Sequence, residues 1–245
     1  MTTANTLRFI ANIRLFDQIP GDPIAYWITD TLRNAYKKGT PLGSVAAPRK
    51  GNSTSDNNRF LRLWFEVKKD EMNLGATSIE REESCNKRWY PYNKGGGYRK
   101  WYGNNEYLID WYDDAAEIRK IKTAVIANYQ YFCKPGLTWS TVSTTDFSIR
   151  WFDEGFIFDN GGCCVFELGN QRPYIAAILN SKVFKYIFGQ INPTLNFQSG
   201  EIAKFPLLHA DEKAIDDISI ENVESSKKDW DSFETSWDFK RHPLI

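Results

Sequence analysis

The segment at positions 86–105, NKRWYPYNKGGGYRKWYGNN, constrains this chain most, because it combines six large aromatic rings, five cations and a glycine triplet with no acidic residue. Cations neutralise phosphates, and aromatic side chains offer faces for bases and polar tips for hydrogen bonds. The glycines predict a loop whose backbone can approach phosphates closely, in preference to a plain hairpin turn. The segment therefore indicates a nucleic-acid-binding surface.

Positive charge is concentrated around this segment, although the whole chain is neutral. The 31 Lys and Arg residues balance the 31 Asp and Glu residues. Between Arg49 and Trp101 there are twelve cations and seven acids, whereas between Asp211 and Ile245 there are five cations and ten acids. The sequence thus predicts a basic centre and an acidic C-terminal tail.

The length of 245 residues is enough to bury a sizeable core, and we favour one domain with a helical appendage over one undivided domain. No apolar run approaches the ~18 residues that a membrane span needs. No secretory signal sequence opens the chain either. We therefore expect a soluble, cytoplasmic protein with no membrane partner.

The first quarter of the chain predicts a helix, a loop and a strand, in that order. Asp22 followed by Pro23 is a good helix start, and apolar residues recur at helical spacing until Gly39. Residues 40–59 are small and polar, with two prolines and two glycines, which predicts a loop. FLRLWFEV, at 60–67, is rich in aromatic and branched residues and predicts a buried strand.

The middle of the chain predicts a small sheet followed by a helix. EYLIDW, SIRWF, GFIFDNGG and CCVFEL, between positions 106 and 168, are short β-prone segments separated by turn residues. RPYIAAILNSKVFKYIFG then has an apolar stripe at helical spacing and Gly189 as its stop, which predicts one helix. The fold class is therefore α+β: a small mixed or antiparallel sheet with packed helices, plus a C-terminal helical segment.

The acidic C-terminal segment predicts a helix with a narrow apolar stripe. The stripe consists of Ile215, Ile218, Val223, Trp230, Phe233 and Trp237. Two interpretations remain open: the helix packs on its own domain, or it docks a neighbouring domain outside this chain. We expect an N-terminal segment and helix at 1–39, a central binding domain at 40–210 and a C-terminal helical docking segment at 211–245.

The sequence contains no recognisable catalytic motif. A methyltransferase that modifies N6 of adenine needs a glycine-rich turn after its first strand and an Asn-Pro-Pro-aromatic motif that holds the flipped base. The nearest string, at 192–194, lacks the second proline and the aromatic residue. The chain also lacks a P-loop and, in its core half, a histidine that could activate a nucleophile. We therefore expect a non-catalytic chain without a cofactor of its own.

The cysteines do not predict a metal or redox site. Cys85, Cys133, Cys163 and Cys164 show no CxxC spacing, and the chain adds only two histidines. In a cytosolic chain such cysteines are usually reduced and partly buried. We expect no bound metal.

Seven blocks of unusual sequence follow one another along nearly the whole chain. They are IPGDPIAYWIT at 19–29, APRKGNSTSDNNRFLRLWFEV at 47–67, KRWYPYNKGGGYRKWYGNNEYLIDW at 87–111, GLTWSTVST at 136–144, GFIFDNGG at 155–162, YIAAILNSKVFKYI at 174–187 and INPTLNFQSGEIAKFPL at 191–207. These blocks, in this order, resemble the C-terminal target-recognition portion of the PglX family, the adenine-specific DNA methyltransferases of BREX systems. The closing DWDSFETSWDFKRHPLI is similar to the family's following segment.

The resemblance implies a function and partners. The family's full-length protein joins an N-terminal catalytic domain, where S-adenosylmethionine is expected, to this region, and it modifies adenine in host DNA alongside other BREX proteins in phage defence. By resemblance, residues 40–210 form a DNA target-recognition domain that recognises a specific sequence in double-stranded DNA. One departure is Ser55, where the family more often has glycine. Serine fits there only if φ is negative or the strain is tolerated.

Charge and resemblance together predict a set of DNA-binding residues. Those expected to fix the phosphate backbone are Arg49, Lys50, Lys94, Arg99 and Lys100, and those expected to read base edges are Asn57, Arg59 and Asn93. The remaining candidates are Ser53, Thr54, Lys87, Arg88, Trp101 and Tyr102. We expect the side chains of Lys94, Arg99 and Lys100 to be solvated.

Two alternatives stay open. Cryptic catalytic residues would make the chain an enzyme, although the missing donor and base motifs argue against this. The nine tryptophans and twelve tyrosines would also suit a carbohydrate- or protein-binding aromatic surface. Salt separates the last alternative from DNA binding, because affinity for DNA falls steeply with salt, whereas stacking on a neutral sugar barely responds.

Overall fold

The computed structural model describes residues 28–79, 87–192, 194–208 and 210–245. Its helices are α1 Asp30–Lys38, α2 Leu42–Val45, α3 Asn57–Phe60, α4 Tyr112–Arg119, α5 Arg172–Asn180, α6 Lys182–Ile191, α7 Ser199–Ala203 and α8 Glu212–Trp230. Its strands are β1 Thr40–Pro41, β2 Ala47–Arg49, β3 Leu61–Leu63, β4 Trp89–Asn93, β5 Trp101–Tyr102, β6 Tyr107–Asp110, β7 Gly136–Trp139, β8 Ile149–Phe152, β9 Ile157–Phe158, β10 Cys164–Phe166 and β11 Pro206–Leu207. Packed helices and mostly antiparallel strands confirm the α+β class.

Within the described ranges, the strands form three sheets. The largest has the order β2-β10-β7-β8-β5, a second has the order β3-β6-β4-β9, and β1 pairs with β11. Neighbouring strands are antiparallel, except that β5 runs parallel to β8 and β4 runs parallel to β9. The segments predicted between 106 and 168 supply β6, β8, β9 and β10, so they do form strands, but these are divided between two sheets.

The five-stranded sheet is covered on both faces, as burial along β10 shows. Val165 belongs to the core cluster that includes residues of α5 and α6, whereas Cys164 and Phe166 belong to the cluster shared with the four-stranded sheet. Successive side chains of a strand point to opposite faces, so a strand with both sets buried lies in the interior. The sheet is therefore sandwiched between helices on one side and the second sheet on the other.

The prediction of a buried strand at 60–67 is wrong over most of its length. Phe60 ends α3, only β3 is extended, and a short 3₁₀ turn follows it. The turn is held by the Glu66 carboxylate, whose Oε2 accepts a hydrogen bond from the Leu63 amide at 2.8 Å. Because β3 is the edge strand of its sheet, the chain beyond it meets solvent, and Phe65 is 64% exposed.

The predicted single helix ending at Gly189 is two helices. Ser181 has an extended backbone, with φ −81° and ψ 161°, and it ends α5 and begins α6. Its Oγ accepts a hydrogen bond from the Phe184 amide at 3.1 Å, as is usual for a serine that caps a helix. Helix α6 then continues past Gly189 to Ile191.

The N-terminal helix α1 ends where the sequence predicts, with Gly39 as its C-cap. Its first residue is Asp30, and the Thr29 hydroxyl caps it by accepting from the Leu32 amide at 3.3 Å. The predicted helix start at 22–23 lies outside the described residues. The segment predicted as a loop also contains short pieces of regular structure, namely β1, α2, β2 and most of α3.

The C-terminal helix α8 packs against α5 and β5. Trp230 is 7% exposed, and Trp237 lies beside Phe156 with ring centroids 6.0 Å apart. These two tryptophans pack on the body of the chain, while Ile218 and Phe233 of the same stripe are exposed. Neither α8, at 19 residues, nor any other described helix is long and apolar enough to cross a bilayer.

Candidate nucleic-acid interface

One residue from each of two predicted binding segments lies at an open cleft beside one end of the four-stranded sheet. Tyr107 of β6 lies opposite Leu63 of β3 on one side and opposite Tyr92 of β4 on the other. Strands β3 and β4 therefore both finish at the same end of the sheet. The cleft has a volume of about 420 Å³ and is lined by Asn57, Asn58, Leu61, Arg62, Leu63, Glu66, Lys94 and Tyr107. Asn57 and Lys94, predicted from separate segments, are thus brought together.

The loop that presents Asn57 is stabilised by hydrogen bonds from its own side chains. Thr54 is 1% exposed, and its hydroxyl donates to Oδ1 of Asn57 at 2.8 Å. Asp56 caps α3 by accepting from the Arg59 amide at 3.1 Å. Ser55 has a φ of 58°, in the left-handed region that favours glycine, so the strain expected at this position is present. Thr54 therefore orients Asn57 and, contrary to the prediction, does not reach the surface.

Lys94 reaches the cleft but is paired with an acid. Its Nζ lies 2.8 Å from Oδ2 of the buried Asp159, which also accepts from the Tyr92 hydroxyl at 2.9 Å. Oδ1 of Asp159 accepts from the Gly161 amide at 2.5 Å. Burial, and then the charge of Asp159, raises the pKa of Tyr92 well above its usual value, so the phenol remains a donor. The Lys94 side chain is 27% exposed and retains an accessible face.

Asn93, predicted to read base edges, lies in the interior. It is 4% exposed, and its Nδ2 donates to Sγ of Cys164 at 3.7 Å. Its carbonyl accepts from the Asp159 amide at 2.9 Å. Asn93 therefore links β4 to the neighbouring elements. Its side chain is buried, contrary to the prediction that it lies at the surface and contacts bases.

Arg99 was expected to be solvated, and that expectation is wrong. Its guanidinium forms an ion pair with Asp229 of α8 at 2.5 Å and stands 5.0 Å from the centre of the Trp230 ring. Its Nε donates to the Tyr102 carbonyl at 2.8 Å. The acidic C-terminal helix thus covers the arginine and neutralises it.

The neighbours of Arg99 are engaged in the same way. Lys100 donates from Nζ to the Asn180 carbonyl at 2.6 Å, and Tyr102 is 7% exposed with Nζ of Lys227 4.8 Å from its ring centre. Trp101 is half-buried and packs against the core cluster on the helix side of the five-stranded sheet. These side chains support the fold and, contrary to the prediction, do not form a solvated face.

Two of the predicted cations are exposed but paired with acids. Arg59 lies 2.7 Å from Glu117, and Arg88 lies 2.6 Å from Asp110. The hydrogen bond to Asp110 raises the pKa of Arg88. The Arg59 pair is exposed on both sides, where such contacts contribute little, whereas the Asp110 carboxylate is buried and holds Arg88 more firmly.

The remaining predicted residues lie around β2 and before β4. Lys50 and Lys87 are exposed, and the Arg49 guanidinium stands 5.5 Å from the ring centre of Tyr131. Ser53 is half-buried, and its amide donates to the carbonyl of residue 125 at 2.9 Å. None of these four lines the cleft.

The structure adds Asn58, Arg62 and Tyr107 to the cleft, three residues that the sequence did not predict. Arg62 donates from Nη1 to the Asn58 carbonyl at 2.8 Å, and its guanidinium stands 5.8 Å from the ring centre of Trp89. The alternation Leu-Arg-Leu at 61–63 carries a signal for it, because a polar residue between two apolar ones faces outward on a half-buried strand.

The cleft can bind an extended polar ligand but holds no nucleophile paired with a base. Asn57 and Asn58 offer amide donors and acceptors, and Arg62 and Lys94 offer positive charge. Glu66 also lines the cleft, with its carboxylate engaged by a backbone amide. Amide and cationic side chains at an open groove are the groups that contact base edges and phosphates.

Two adenine-specific methyltransferases are similar to nearly all of this chain. The adenine-specific methyltransferase BrxX of Escherichia coli O9:H4 (strain HS) is 41% identical over 234 residues, which cover 94% of this chain and 18% of the relative. The adenine-specific methyltransferase PglX of Lacticaseibacillus casei (strain Zhang) is 34% identical over 239 residues, which cover 94% of this chain and 20% of the relative. No protein-family model matches the chain.

The similarity identifies the chain as a homologue of one region of much longer enzymes. The chain spans about a fifth of the length of these two relatives. This homology confirms the resemblance of its sequence motifs to one region of the PglX family.

Proposed function

We propose that this chain is the DNA-recognition region of an adenine-specific methyltransferase of a BREX system. It binds a specific sequence in double-stranded DNA and does not itself transfer a methyl group. The observation that carries the proposal is the cleft that gathers Asn57, Asn58, Arg62 and Lys94 from two separate segments. The names of the relatives supply the adenine specificity, and the sequence resemblance supplies duplex DNA.

The cleft residues suit the two parts of a DNA duplex. Asparagine amides form paired hydrogen bonds with the edge of adenine, so Asn57 and Asn58 are assigned to base edges. Arg62 and Lys94 are assigned to backbone phosphates, which fix the register but carry no sequence information. The strained loop at Ser55 and the buried Thr54 hold Asn57 in place before DNA arrives.

Catalysis belongs, in this proposal, to the rest of the full-length protein. The chain lacks the glycine-rich turn and the Asn-Pro-Pro-aromatic motif, so the catalytic domain would bind S-adenosylmethionine and the flipped adenine. That domain and other BREX proteins would be the protein partners, and the chain would act by positioning the duplex.

Burial of the aromatic rings weighs against a carbohydrate-binding surface. Stacking on a sugar requires an accessible ring face. Trp89, Tyr90, Tyr92 and Tyr102 of the basic segment are each 7% exposed or less, whereas Tyr98 is 47% exposed. The segment therefore contributes most of its rings to the core and does not form a stacking platform.

The triple variant N57A/N58A/R62A tests the cleft. Its affinity for a labelled DNA duplex, measured by fluorescence anisotropy over a series of salt concentrations, should fall. The negative slope of log affinity against log salt should become shallower by about 0.9, for the lost phosphate contact. Lys213→Ala, on the exposed side of α8, is the control and should match the parent. If the parent binds DNA and the folded triple variant keeps its affinity and slope, the interface lies elsewhere.

A further inference from the structure

Two arginines with little exposure to solvent, Arg150 and Arg172, differ in what surrounds their charge. Arg172 donates to the carbonyls of Gly136 and Phe152, lies 3.4 Å over the Trp151 ring and is 3.8 Å from the Asp153 carboxylate. Arg150 of β8 is 1% exposed. Burial lowers the pKa of both guanidinium groups to about 10, which still leaves them charged at neutral pH.

Arg150 lacks the partners that Arg172 has. Its Nε and Nη1 have no hydrogen-bond partner, and its Nη2 makes one long contact of 3.4 Å with the carbonyl of Gly95. Among the described residues no carboxylate lies within ion-pair distance of it, and the like charge of Arg99 also acts on it. The Cys164 thiol beside it is neutral, because burial raises its pKa. A buried charge without a counterion is strongly unfavourable, so an arginine kept in this position needs an explanation.

The glycine loop, defined as Gly95–Gly97, lies directly against Arg150. Gly95 and Gly96 have φ values of 94° and 114°, which side chains rarely adopt. A Cβ at Gly95 would come within 2.7 Å of the Gly161 carbonyl, so the close packing of the loop requires glycine. Gly96 and Gly97 are exposed, and Ser140 holds the loop by donating from Oγ to the Gly96 carbonyl at 2.8 Å. The loop thus presents bare backbone to solvent, with a buried positive charge behind it.

We propose that the glycine loop and Arg150 form a phosphate-binding site that takes one backbone phosphate of duplex DNA. This inference rests on the proposed function and deepens it. The exposed backbone at Gly96 and Gly97 approaches the phosphate, and Arg150 is a positioning residue that holds the Gly95 carbonyl and supplies a positive potential from beneath. The phosphate is then the counterion that the chain itself does not provide.

The position of the loop supports a DNA phosphate as the occupant. Lys94, immediately before the loop, lines the proposed DNA cleft, so a strand lying in the cleft passes the loop. The charge of Arg150 acts through the protein interior, where electrostatic interactions are screened less than in water. An arginine with a purely structural role would be held by carbonyls and an acid, as Arg172 is, although the Nε of Arg172 also lacks a partner.

Three variants of the full chain test the site by duplex binding over a salt series and by thermal melting. Arg150→Met should lower affinity roughly tenfold at 0.1 M salt and reduce the salt slope by about 0.9, the loss of one phosphate contact. Its Tm should stay the same or rise, because methionine removes an unpaired buried charge. Arg150→Lys keeps the charge and should restore most of the affinity and slope. Arg172→Met, the matched control, should lower Tm and leave the slope unchanged.

A second pair of variants avoids the core. Gly97 and Gly75 are both exposed, and a Cβ at either meets nothing within 4 Å. Gly97→Glu places a negative charge on the loop and should weaken duplex binding, whereas Gly75→Glu should leave it nearly unchanged. Equal effects of the two substitutions would contradict a phosphate site at the loop.

The outcomes separate this inference from the proposed function. If the parent binds DNA but Arg150→Met lowers Tm and keeps the parent's affinity and salt slope, Arg150 is structural and the site is refuted. If Arg150→Met does not fold, the comparison of Gly97→Glu with Gly75→Glu decides. If the parent shows no salt-dependent duplex binding, the proposed function fails and the site fails with it. Inorganic phosphate is titrated as a separate probe. Saturable stabilisation at about 1 mM or below, where ionic strength alone has little effect, would assign the site to free phosphate and overturn the DNA assignment.

Discussion

The two halves of the segment at 86–105 have the same chemistry and end in different surroundings. Lys87 to Lys94 contains β4, an inner strand of the four-stranded sheet, and ends in the cleft. Arg99 to Tyr102 forms β5 and lies beneath α8, where Asp229, 130 residues further along the chain, neutralises Arg99. A run of cations therefore marks a binding face only where no acid of the same chain reaches it, and sequence distance does not show which acids do.

The second half should be structural, and the largest expected effect tests this. Trp230→Ala should lower the free energy of unfolding by about 3–5 kcal/mol, because the buried ring packs beneath Arg99 and leaves a cavity when truncated. Phe233→Ala, at a side chain 49% exposed, should change it by less than about 0.5 kcal/mol. Denaturant melts of the two variants measure the difference. Equally small effects would instead support a C-terminal segment that serves as a docking arm for another domain.

The first half depends on one buried acid. Asp159→Asn should lower the free energy of unfolding by about 2 kcal/mol, because the carboxylate accepts from Tyr92 and Gly161 and pairs with Lys94. Duplex affinity at low salt should rise at the same time, since Lys94 loses its competing anion. Melts and anisotropy on the same preparation check both results. Unchanged duplex affinity in the folded variant would show that Lys94 does not contact DNA.

The smallest effect concerns the acid that covers Arg99. Asp229 is 62% exposed, so Asp229→Asn should change the free energy of unfolding by less than about 1 kcal/mol. The salt slope of duplex binding should stay at the parent's value, because Arg99 remains packed against Trp230 and bonded to the Tyr102 carbonyl. A slope steeper by about 0.9 would contradict a purely structural role for the second half of the segment, since it would mean that Arg99 binds phosphate once it is released from Asp229.

Local patterns in the sequence predicted regular structure where residue types alternate clearly with turn residues. The segments between 106 and 168 formed strands because aromatic and branched residues alternate with turn residues there. The prediction failed at Ser181, where one apolar stripe hides a break that a single hydroxyl stabilises as a new helix start. It failed again at 60–67, because a short edge strand followed by an aromatic 3₁₀ turn has the composition of a buried strand.

The candidate site was predictable only in part, because burial is decided by distant partners. Asn57 and Lys94 were predicted from charge and polarity, and the structure brings them to one cleft. Asn93 and Thr54 have the same polar character, yet they are 4% and 1% exposed. Arg150, within the β-prone run SIRWF, has no local feature that separates a buried arginine from a solvated one.

The glycine loop also joins two layers of the molecule, and this has a consequence for how the chain folds. The strand before it, β4, pairs in parallel with β9, and the strand after it, β5, pairs in parallel with β8. Two segments of chain therefore cross between the same two sheets, each contributing one strand to each sheet. Parallel pairs between such distant segments must wait for the closure of long loops, so neither sheet can be completed as an independent unit. We expect a slow and cooperative folding reaction, in which residues 89–102 and 149–158 acquire protection from hydrogen exchange together.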